Sequence, residues 1–199
     1  LASTRLKQPL AFEQEEASDK TIILDEYQPI TEKIKTLYNS HQQLQASRMA
    51  NDFASELPKD KKSAFIAWLA DVLHWTGKSV YLSGDKSLKN QLSLRFPLAH
   101  KTLVQQYSKQ YDVPEALIYA IIRQESAFRG QVISPVGAHG LMQLMPKTAQ
   151  HVARREHIAY HGTRDLFSSE KNINLGTAYL SELAKRFNNN PLLMVAAYN

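Results

Sequence analysis

One carboxyl group in this sequence is a candidate for acid chemistry, that of Glu125 in the segment Arg123–Ser126. At 3.6 residues per turn, Ile118, Ile122 and Glu125 share one stripe of a predicted helix, so the carboxyl group ends an apolar face. Loss of water there disfavours the charged form, and we therefore expect a raised pKa for Glu125. A carboxylic acid that stays protonated near neutral pH can protonate a leaving-group oxygen, as in glycoside cleavage.

A structural role is the alternative for Glu125. Its carboxylate could pair with Arg123 or Arg129, or with a capping group near the helix end. Buried glutamates are rare unless they are paired, so for a lone glutamate this alternative is the more common one. The choice therefore depends on the segments that lie C-terminal to Glu125.

The segment Ser134–Gly140 places two glycines and one proline within seven residues, between two predicted helices. A loop of this composition exposes main-chain N–H and C=O groups and brings the backbone close to another group. Gln143 comes next among apolar neighbours. Its side chain is either a hydrogen-bonded core amide or a ligand for sugar hydroxyls or an N-acetyl group.

The sequence gives Glu125 no near second carboxylate. Glycosidases with two carboxyl groups hold them ~5–5.5 Å apart for retention or ~6.5–9.5 Å apart for inversion. Glu115 lies ten residues earlier, which is ~15 Å along a helix, and Asp112 is further still. The remaining candidates are Glu156, Asp165, Glu170 and Glu182. The pattern therefore favours chemistry with a single acid.

Apolar residues recur at helical spacing through most of the chain, and glycine and proline are few, which predicts an all-α protein. In the first half we expect helices at about 27–37, 46–57, 65–73 and 79–94, with a break at Pro58 and Lys59–Lys62 and a stop at Gly77. The succession of short-linked helices is typical of stacked helix pairs, as in an α-solenoid.

The second half shows clearer helix boundaries. Helices are predicted at 100–110, from Asp112 to the region of Glu125, from Pro146 to Arg155, from Asn172 to about Phe187, and from Pro191 onward. Asp112 and Glu115 form a capping-box pattern, with Pro114 in the first turn. We expect Asn172 to cap its helix.

Composition excludes several classes of protein. The 199 residues carry a net charge of +5 and 43% hydrophobic residues, as expected of a globular chain. No apolar run approaches the ~20 residues that span a bilayer. The absence of cysteine excludes disulfides and thiolate chemistry. The chain begins without Met and ends in an apolar run, so we expect an interior fragment or processed product.

Metal binding and nucleic-acid binding receive little support. Four histidines between residues 139 and 161 occur without an acidic ligand block, and we expect them to be exposed: His139, His151, His157 and His161. Residues 100–199 hold 11 basic and 7 acidic groups, which suits an anionic partner. Nucleic acid ranks last among such partners because no helix gathers Lys and Arg on one face.

Four segments together resemble the catalytic domain of the soluble lytic transglycosylases, periplasmic enzymes that cut the glycan strands of bacterial peptidoglycan. They are RQES at 123–126, SPVGAHGLMQLMP at 134–146, NINLGTAYL at 172–180 and AAYN at 196–199. The resemblance implies a helical superhelix and linker segment followed by a lysozyme-like (goose-type) α domain. Residues 1–26 would end the U-shaped superhelical domain, 27–95 would be the helical linker domain, and 96–199 the catalytic domain, incomplete at its C-terminus.

The resemblance also implies roles for individual residues. Glu125 would be the sole catalytic acid/base, and Ser126 would orient it. The other implied substrate-binding residues are Met142, Gln143 and Met145, which would line the sugar subsites, and Tyr198 and Asn199, which would close the site. No metal or cofactor is implied. The family continues past AAYN with a glycine-containing loop and further helices that bear a last tyrosine, and this sequence ends at Asn199.

In the family mechanism, Glu125 would protonate the oxygen between MurNAc and GlcNAc and then deprotonate the C6 hydroxyl, giving a 1,6-anhydromuramoyl end. A water-using muramidase and a non-catalytic peptidoglycan-binding or scaffold module are the alternatives. The resemblance implies peptidoglycan strands as the partner, with other cell-wall enzymes as further candidates. It implies a periplasmic location in a Gram-negative bacterium, soluble or loosely associated with the cell wall.

Overall fold

A computed structural model describes residues 15–199, apart from the side chain of Ile22. These residues form α-helices and short 3₁₀ turns with isolated β-bridges, so the all-α prediction is confirmed. The chain divides into two compact units between Pro97 and Leu98, called unit 1 and unit 2. Of the superhelix end predicted at residues 1–26, residues 1–14 lie outside the described residues. No helix in the described part is both long and apolar enough to cross a membrane.

Unit 1 consists of helices joined by short turns. They are α1 (Thr21–Glu26), α2 (Gln28–Asn39), α3 (Gln43–Glu56), α4 (Lys59–Asp71), α5 (Thr76–Leu82), a 3₁₀ turn (Lys86–Leu88) and α6 (Leu92–Arg95). Aromatic rings fill the space between them, with Phe65 edge-on to Phe53 at 5.0 Å and stacked on Trp68 at 5.7 Å. Each of these three side chains is less than a tenth exposed. Helix faces therefore join through apolar contacts.

Three predictions for unit 1 are wrong. Gly77 does not stop a helix but is buried inside α5. The turn between α4 and α5 instead uses His74, which adopts φ 52°. No single helix spans 79–94, because the chain turns after Leu82 and Asp85 caps the 3₁₀ turn through Ser87 N–H.

The run Lys59–Lys62 belongs to the start of α4, directly after Pro58. Like-charged lysines at a helix start are tolerated here because each of three pairs with a carboxylate outside α4. The pairs are Lys59 with Glu15, Lys61 with Glu26 and Lys62 with Asp85. The predicted break at these lysines is therefore wrong, and Pro58 alone ends the preceding segment.

Unit 2 is arranged around one long helix. Its elements are α7 (Lys101–Tyr111), α8 (Glu115–Glu125), α9 (Pro146–Arg155), a 3₁₀ turn (Thr163–Phe167), α10 (Ser169–Arg186) and α11 (Pro191–Tyr198). Helix α10 packs against α7, α9, α11 and the 3₁₀ turn. The predicted bounds of α9 are confirmed. Residues 126–145, called the connecting loop, join α8 to α9 and carry most of the recognised segment 134–146.

Two predicted caps in unit 2 are wrong. Asp112 does not cap α8, because it takes the left-handed conformation (φ 52°) at the end of α7, and the residue before α8 is Pro114. Asn172 does not cap α10, which begins after Ser168, whose side chain accepts a hydrogen bond from Lys171 N–H. Asn172 is instead fully buried.

Candidate active site

Glu125 is the last residue of α8. Ile118, Ile121 and Ile122 bury the same helix in the core, each no more than 3% exposed. The Glu125 side chain is half-buried at the end of this face. Burial raises the pKa of the carboxyl group above its ordinary value of 4.5. The pKa shift therefore has the direction that the sequence predicts.

The residues after Glu125 turn the chain sharply away from the helix axis. Ala127 and Phe128 both adopt positive φ, at 49° and 64°. The guanidinium of Arg129, an alternative partner for Glu125, donates from Nε to the Ser126 carbonyl at 3.0 Å. Arg129 therefore stabilises the end of α8 through the backbone.

Ser126 serves the helix end. It is 1% exposed, and its Oγ donates to the Ile122 carbonyl at 3.2 Å. In this structure the hydroxyl is therefore occupied by the backbone and is not open to a substrate. Ser126 thus contributes to the end of α8, and the role that the resemblance implies for it, orienting Glu125, stays a prediction.

The connecting loop is held by backbone hydrogen bonds of its own. His139 and Leu144 exchange N–H···O bonds, both 3.0 Å long, and Gly140 N–H donates to the Val132 carbonyl. His139 is half-buried, with Nδ1 2.8 Å from the Gly137 carbonyl oxygen, so its predicted exposure is wrong. The other three histidines whose exposure was predicted are indeed exposed: His151, His157 and His161.

Asn172 fastens the connecting loop to α10. Its Oδ1 accepts the Met142 N–H at 2.7 Å, and its Nδ2 donates to the carbonyls of His139 (3.0 Å) and Leu166 (2.8 Å). Gly140 passes so close that a Cβ on it would lie 2.2 Å from the Leu166 carbonyl oxygen. Glycine at 140 is therefore required by the approach of the loop to α10 as well as by its φ of 77°.

Met142 is completely buried, with its thioether against Gly176. A Cβ on Gly176 would lie 2.4 Å from the Met142 Sδ, so this glycine provides the space that the side chain occupies. The prediction that Met142 lines a sugar subsite is therefore wrong for the side chain. Its backbone groups hold the loop in place.

Gln143 follows Met142 in the left-handed conformation, with φ 47°. Its Nε2 donates to the Gly140 carbonyl at 2.8 Å and to the Val132 carbonyl at 3.3 Å. The amide group is therefore anchored by its donors, while the described residues provide no hydrogen bond to its Oε1. Met145, at 41% exposure, lies two residues further on. An amide oxygen and an exposed thioether side chain thus flank this end of the loop.

Tyr198 connects the last recognised segment, 196–199, to the other three recognised segments. Its hydroxyl donates to the Met142 carbonyl at 2.8 Å, and its ring lies 5.4 Å from that of Tyr179. Burial, followed by the charges of Glu125 and Tyr179, holds the pKa of Tyr198 well above its ordinary value. Glu125 is therefore close to Tyr198, and the four recognised segments meet in one place. Asn199 is exposed beside it.

Comparison with known proteins identifies the second unit. The family model described as the transglycosylase SLT domain matches residues 102–199. The match covers 98 of the 199 residues, just under half of the chain. The resemblance seen in the sequence is confirmed, and the SLT domain contains Glu125, the connecting loop and Tyr198.

Curated relatives are similar over the SLT domain and some residues before it. The soluble lytic murein transglycosylase of Salmonella typhimurium is 43% identical over 127 residues, which are 63% of this chain and 20% of that protein. The Escherichia coli K12 protein of the same description is 42% identical over 126 residues, again 63% and 20%. This chain therefore spans about a fifth of the length of these relatives.

Matches to three solved structures of other proteins each extend over the whole chain. An inactive mutant of the lytic transglycosylase Slt from Pseudomonas aeruginosa superposes with a TM-score of 0.83 and 32% identity, over 100% of this chain and 32% of that one. The 70 kDa soluble lytic transglycosylase of Escherichia coli gives 0.83 and 31%, with the same coverage, and a complex of the 70 kDa enzyme with bulgecin A gives 0.82 and 32%. The predicted lysozyme-like α fold of the SLT domain is confirmed.

Two other features of the SLT domain bear on its chemistry. A cleft of about 450 Å³ opens beside the start of α8, lined by Gln110, Tyr111, Asp112, Glu156, Ser181, Ala184, Lys185 and Asn189. None of the predicted site residues lines it. Within residues 15–199, no three His, Cys, Asp or Glu side chains are grouped so as to hold a metal ion.

Sequence reasoning missed the residues that support the site. Asn172, Gly140 and Gly176 fix the connecting loop, yet none of them was a candidate for the site. One signal was available for Asn172. Ser168, four residues earlier, is itself a favoured capping residue, which leaves Asn172 inside the helix with an amide that needs partners.

Proposed function

We propose that this chain is part of a lytic transglycosylase that cleaves the MurNAc-β-1,4-GlcNAc bond of peptidoglycan with formation of 1,6-anhydromuramoyl ends. The observation that carries the proposal is the half-buried Glu125 carboxyl group, of raised pKa, close to Tyr198 and the connecting loop. The names of the relatives support the same activity. The enzyme would be a carbon–oxygen lyase acting in cell-wall turnover, in the periplasm.

The proposed domain organisation follows the larger relatives. Residues 1–26 would end a superhelical domain, residues 27–95 would form the linker domain, and residues 96–199 would form most of the catalytic domain. The division of contacts between Pro97 and Leu98 supports a boundary in this region.

Glu125 would act twice in the reaction. As an acid it protonates the glycosidic oxygen while the C1–O bond breaks, and the 2-acetamido carbonyl of the substrate stabilises the cation that develops at C1. As a carboxylate it then takes the proton of the C6 hydroxyl, whose oxygen attacks C1. The proton on Glu125 is restored, and no water is consumed.

The surroundings of the other acidic residues support a mechanism with one acid. Glu115 is at the opposite end of α8, ~15 Å away along the axis. The remaining candidates contact other partners: Glu156 and Glu182 pair with Arg155, Asp165 accepts the His161 N–H, and Glu170 accepts from Tyr107. Each of these carboxylates is therefore engaged in a structural contact.

Glu125→Gln tests the proposal directly. Incubation with peptidoglycan sacculi should release muropeptides that are lighter by one water than hydrolysis products, as measured by mass spectrometry. The glutamine variant keeps the shape but cannot give up or take a proton, so the rate should fall about 10²–10⁴-fold or more. Glu115→Gln, at the other end of the same helix, should retain the native rate.

Two outcomes would replace the proposal. Products that contain the added water would indicate a muramidase with the same acid. Binding to sacculi without any released product, equal in the native chain and Glu125→Gln, would indicate a non-catalytic peptidoglycan-binding module.

A further inference from the structure

We infer that Tyr198 and Asn172 are positioning residues that hold both backbone polar groups of Met142 and thereby fix the amide of Gln143 at the sugar site. Asn172 Oδ1 accepts the Met142 N–H at 2.7 Å, and the Tyr198 hydroxyl donates to the Met142 carbonyl at 2.8 Å. This inference rests on the proposed function. It assigns Tyr198 to the protein backbone and not to the substrate.

The conformation of Gln143 explains why such support is needed. A left-handed φ of 47° costs a residue with a side chain about 1–2 kcal/mol, so the segment must be held in place by its surroundings. Gly140 and Val132 carbonyls hold the side-chain amide of Gln143. The preceding residue, Met142, is held at its N–H, its carbonyl and its side chain. The backbone directly before Gln143 is therefore fixed in position.

The contacts on Met142 come from two helices, α10 and α11. Asn172 and Gly176 are one turn apart on α10, and Tyr198 ends α11. Asn172 also donates to the His139 and Leu166 carbonyls. Both N–H groups of its amide are therefore used, and the side chain is held in one orientation. The orientation of Gln143 thus depends on how α10 and α11 meet the connecting loop.

The Tyr198 hydroxyl is suited to a permanent donor role. Tyr198 is half-buried, and desolvation together with the charge of Glu125 disfavours loss of its proton. It therefore continues to donate to Met142 at any pH at which a carboxyl group can act as the acid.

Tyr198→Phe is the primary test, because it removes the hydroxyl and keeps the ring that packs on Tyr179. A buried carbonyl left without its donor costs about 1–3 kcal/mol, so the loop should loosen. With solubilised glycan strands as the substrate, KM should rise about tenfold. The pH at which kcat is half-maximal should stay unchanged, because Glu125 is untouched.

Tyr179→Phe is the matched control. Its hydroxyl lies in the same ring pair but is 3.5 Å from the Ala197 carbonyl and does not contact the connecting loop. Hydrogen–deuterium exchange of residues 139–144 gives a readout that does not depend on activity. Exchange should speed up in Tyr198→Phe and in Asn172→Asp, which loses two donors, and remain native in Tyr179→Phe.

Two outcomes would overturn the inference. A shifted pH profile with native KM would mean that Tyr198 acts on Glu125 itself, and native exchange in Tyr198→Phe would mean that the hydroxyl does not hold the loop. If the native chain released no product from peptidoglycan, the proposed function would fall. The exchange comparison would still decide whether Tyr198 and Asn172 hold Met142.

Discussion

Different kinds of contact stabilise the inside of each of the two units. In unit 1, rings and aliphatic side chains fill the space between helices. The ring of Phe65, for example, contacts those of Phe53 and Trp68. In unit 2, an irregular loop is tied to α10 by side-chain amides and hydroxyls directed at the backbone, chiefly Asn172 and Tyr198. The candidate site lies in the second kind of region.

The difference follows from the needs of the backbone. A helix satisfies its own N–H and C=O groups, so helices can join through apolar contacts. A buried loop lacks internal partners for these groups and must find them on neighbouring side chains. The connecting loop exposes Gln143 at a fixed place because Asn172 and Tyr198 provide such partners. A site built on an irregular loop thus requires polar side chains that bind the backbone of that loop.

The largest effect on stability should come from the apolar core of unit 1. Phe65→Ala removes a fully buried ring and should lower the free energy of unfolding of this unit by about 3–5 kcal/mol. Both tryptophans of the chain, Trp68 and Trp75, lie in unit 1, so denaturant unfolding followed by their fluorescence measures the change. Leu44→Ala, at a position 62% exposed, should cost less than about 1 kcal/mol. Equal losses would mean that the ring cluster does not dominate.

The next effect should come from the glycine that lets the connecting loop approach α10. Gly140→Ala adds a left-handed penalty and a clash with the Leu166 carbonyl, together about 3 kcal/mol, in unit 2. Gly137→Ala is the control, because φ is 86° there but no described atom lies within 4 Å of a Cβ. It should cost only about 1–2 kcal/mol. Hydrogen exchange along 98–199 locates the loss, and similar losses for both variants would contradict the close approach.

The smallest effect should appear as a pH dependence in unit 1. Burial lowers the pKa of Lys78 from 10.5 to about 8, in contact with Ser47 and Asn51 and beside the rings of Trp75 and Tyr81. Between these two pH values the unfolded chain binds more protons than the folded one. The free energy of unfolding should therefore rise with pH above 8, by about 2.5 kcal/mol between pH 7 and pH 10.

Lys78→Met tests this dependence. The difference in unfolding free energy between the native chain and Lys78→Met should shift toward the native chain from pH 7 to pH 10, as measured by tryptophan fluorescence. Lys33→Met, at an exposed position on α2, controls for the general effect of losing a lysine. A difference that does not change with pH would show that Lys78 keeps an ordinary pKa.

The contrast between the units also separates what the sequence predicts well from what it does not. Periodicity located most helices, and Pro146 and Arg155 marked the bounds of α9 correctly. Cap assignments failed at Asp112 and Asn172, because short polar side chains serve equally as helix caps, as left-handed residues and as partners for a buried loop. Local sequence does not distinguish these uses.

The same limit applied to the candidate site. The acid could be found, because an apolar stripe that ends in a carboxyl group has a direct consequence for its pKa. The orientation of Met142 could not be predicted, because burial of its side chain depends on Gly176, which is distant in sequence. Ser126 likewise comes directly after the acid in sequence, but its hydroxyl faces its own helix.

The unequal exposure of two neighbouring methionines has a chemical consequence. Met142 is closed off beneath Gly176, whereas Met145 is 41% exposed. Peroxide or hypochlorite would therefore reach the Met145 sulfur first and convert it to a polar, chiral sulfoxide. Oxidation of these two methionines would therefore begin at the exposed end of the connecting loop and leave the packing around Met142 intact.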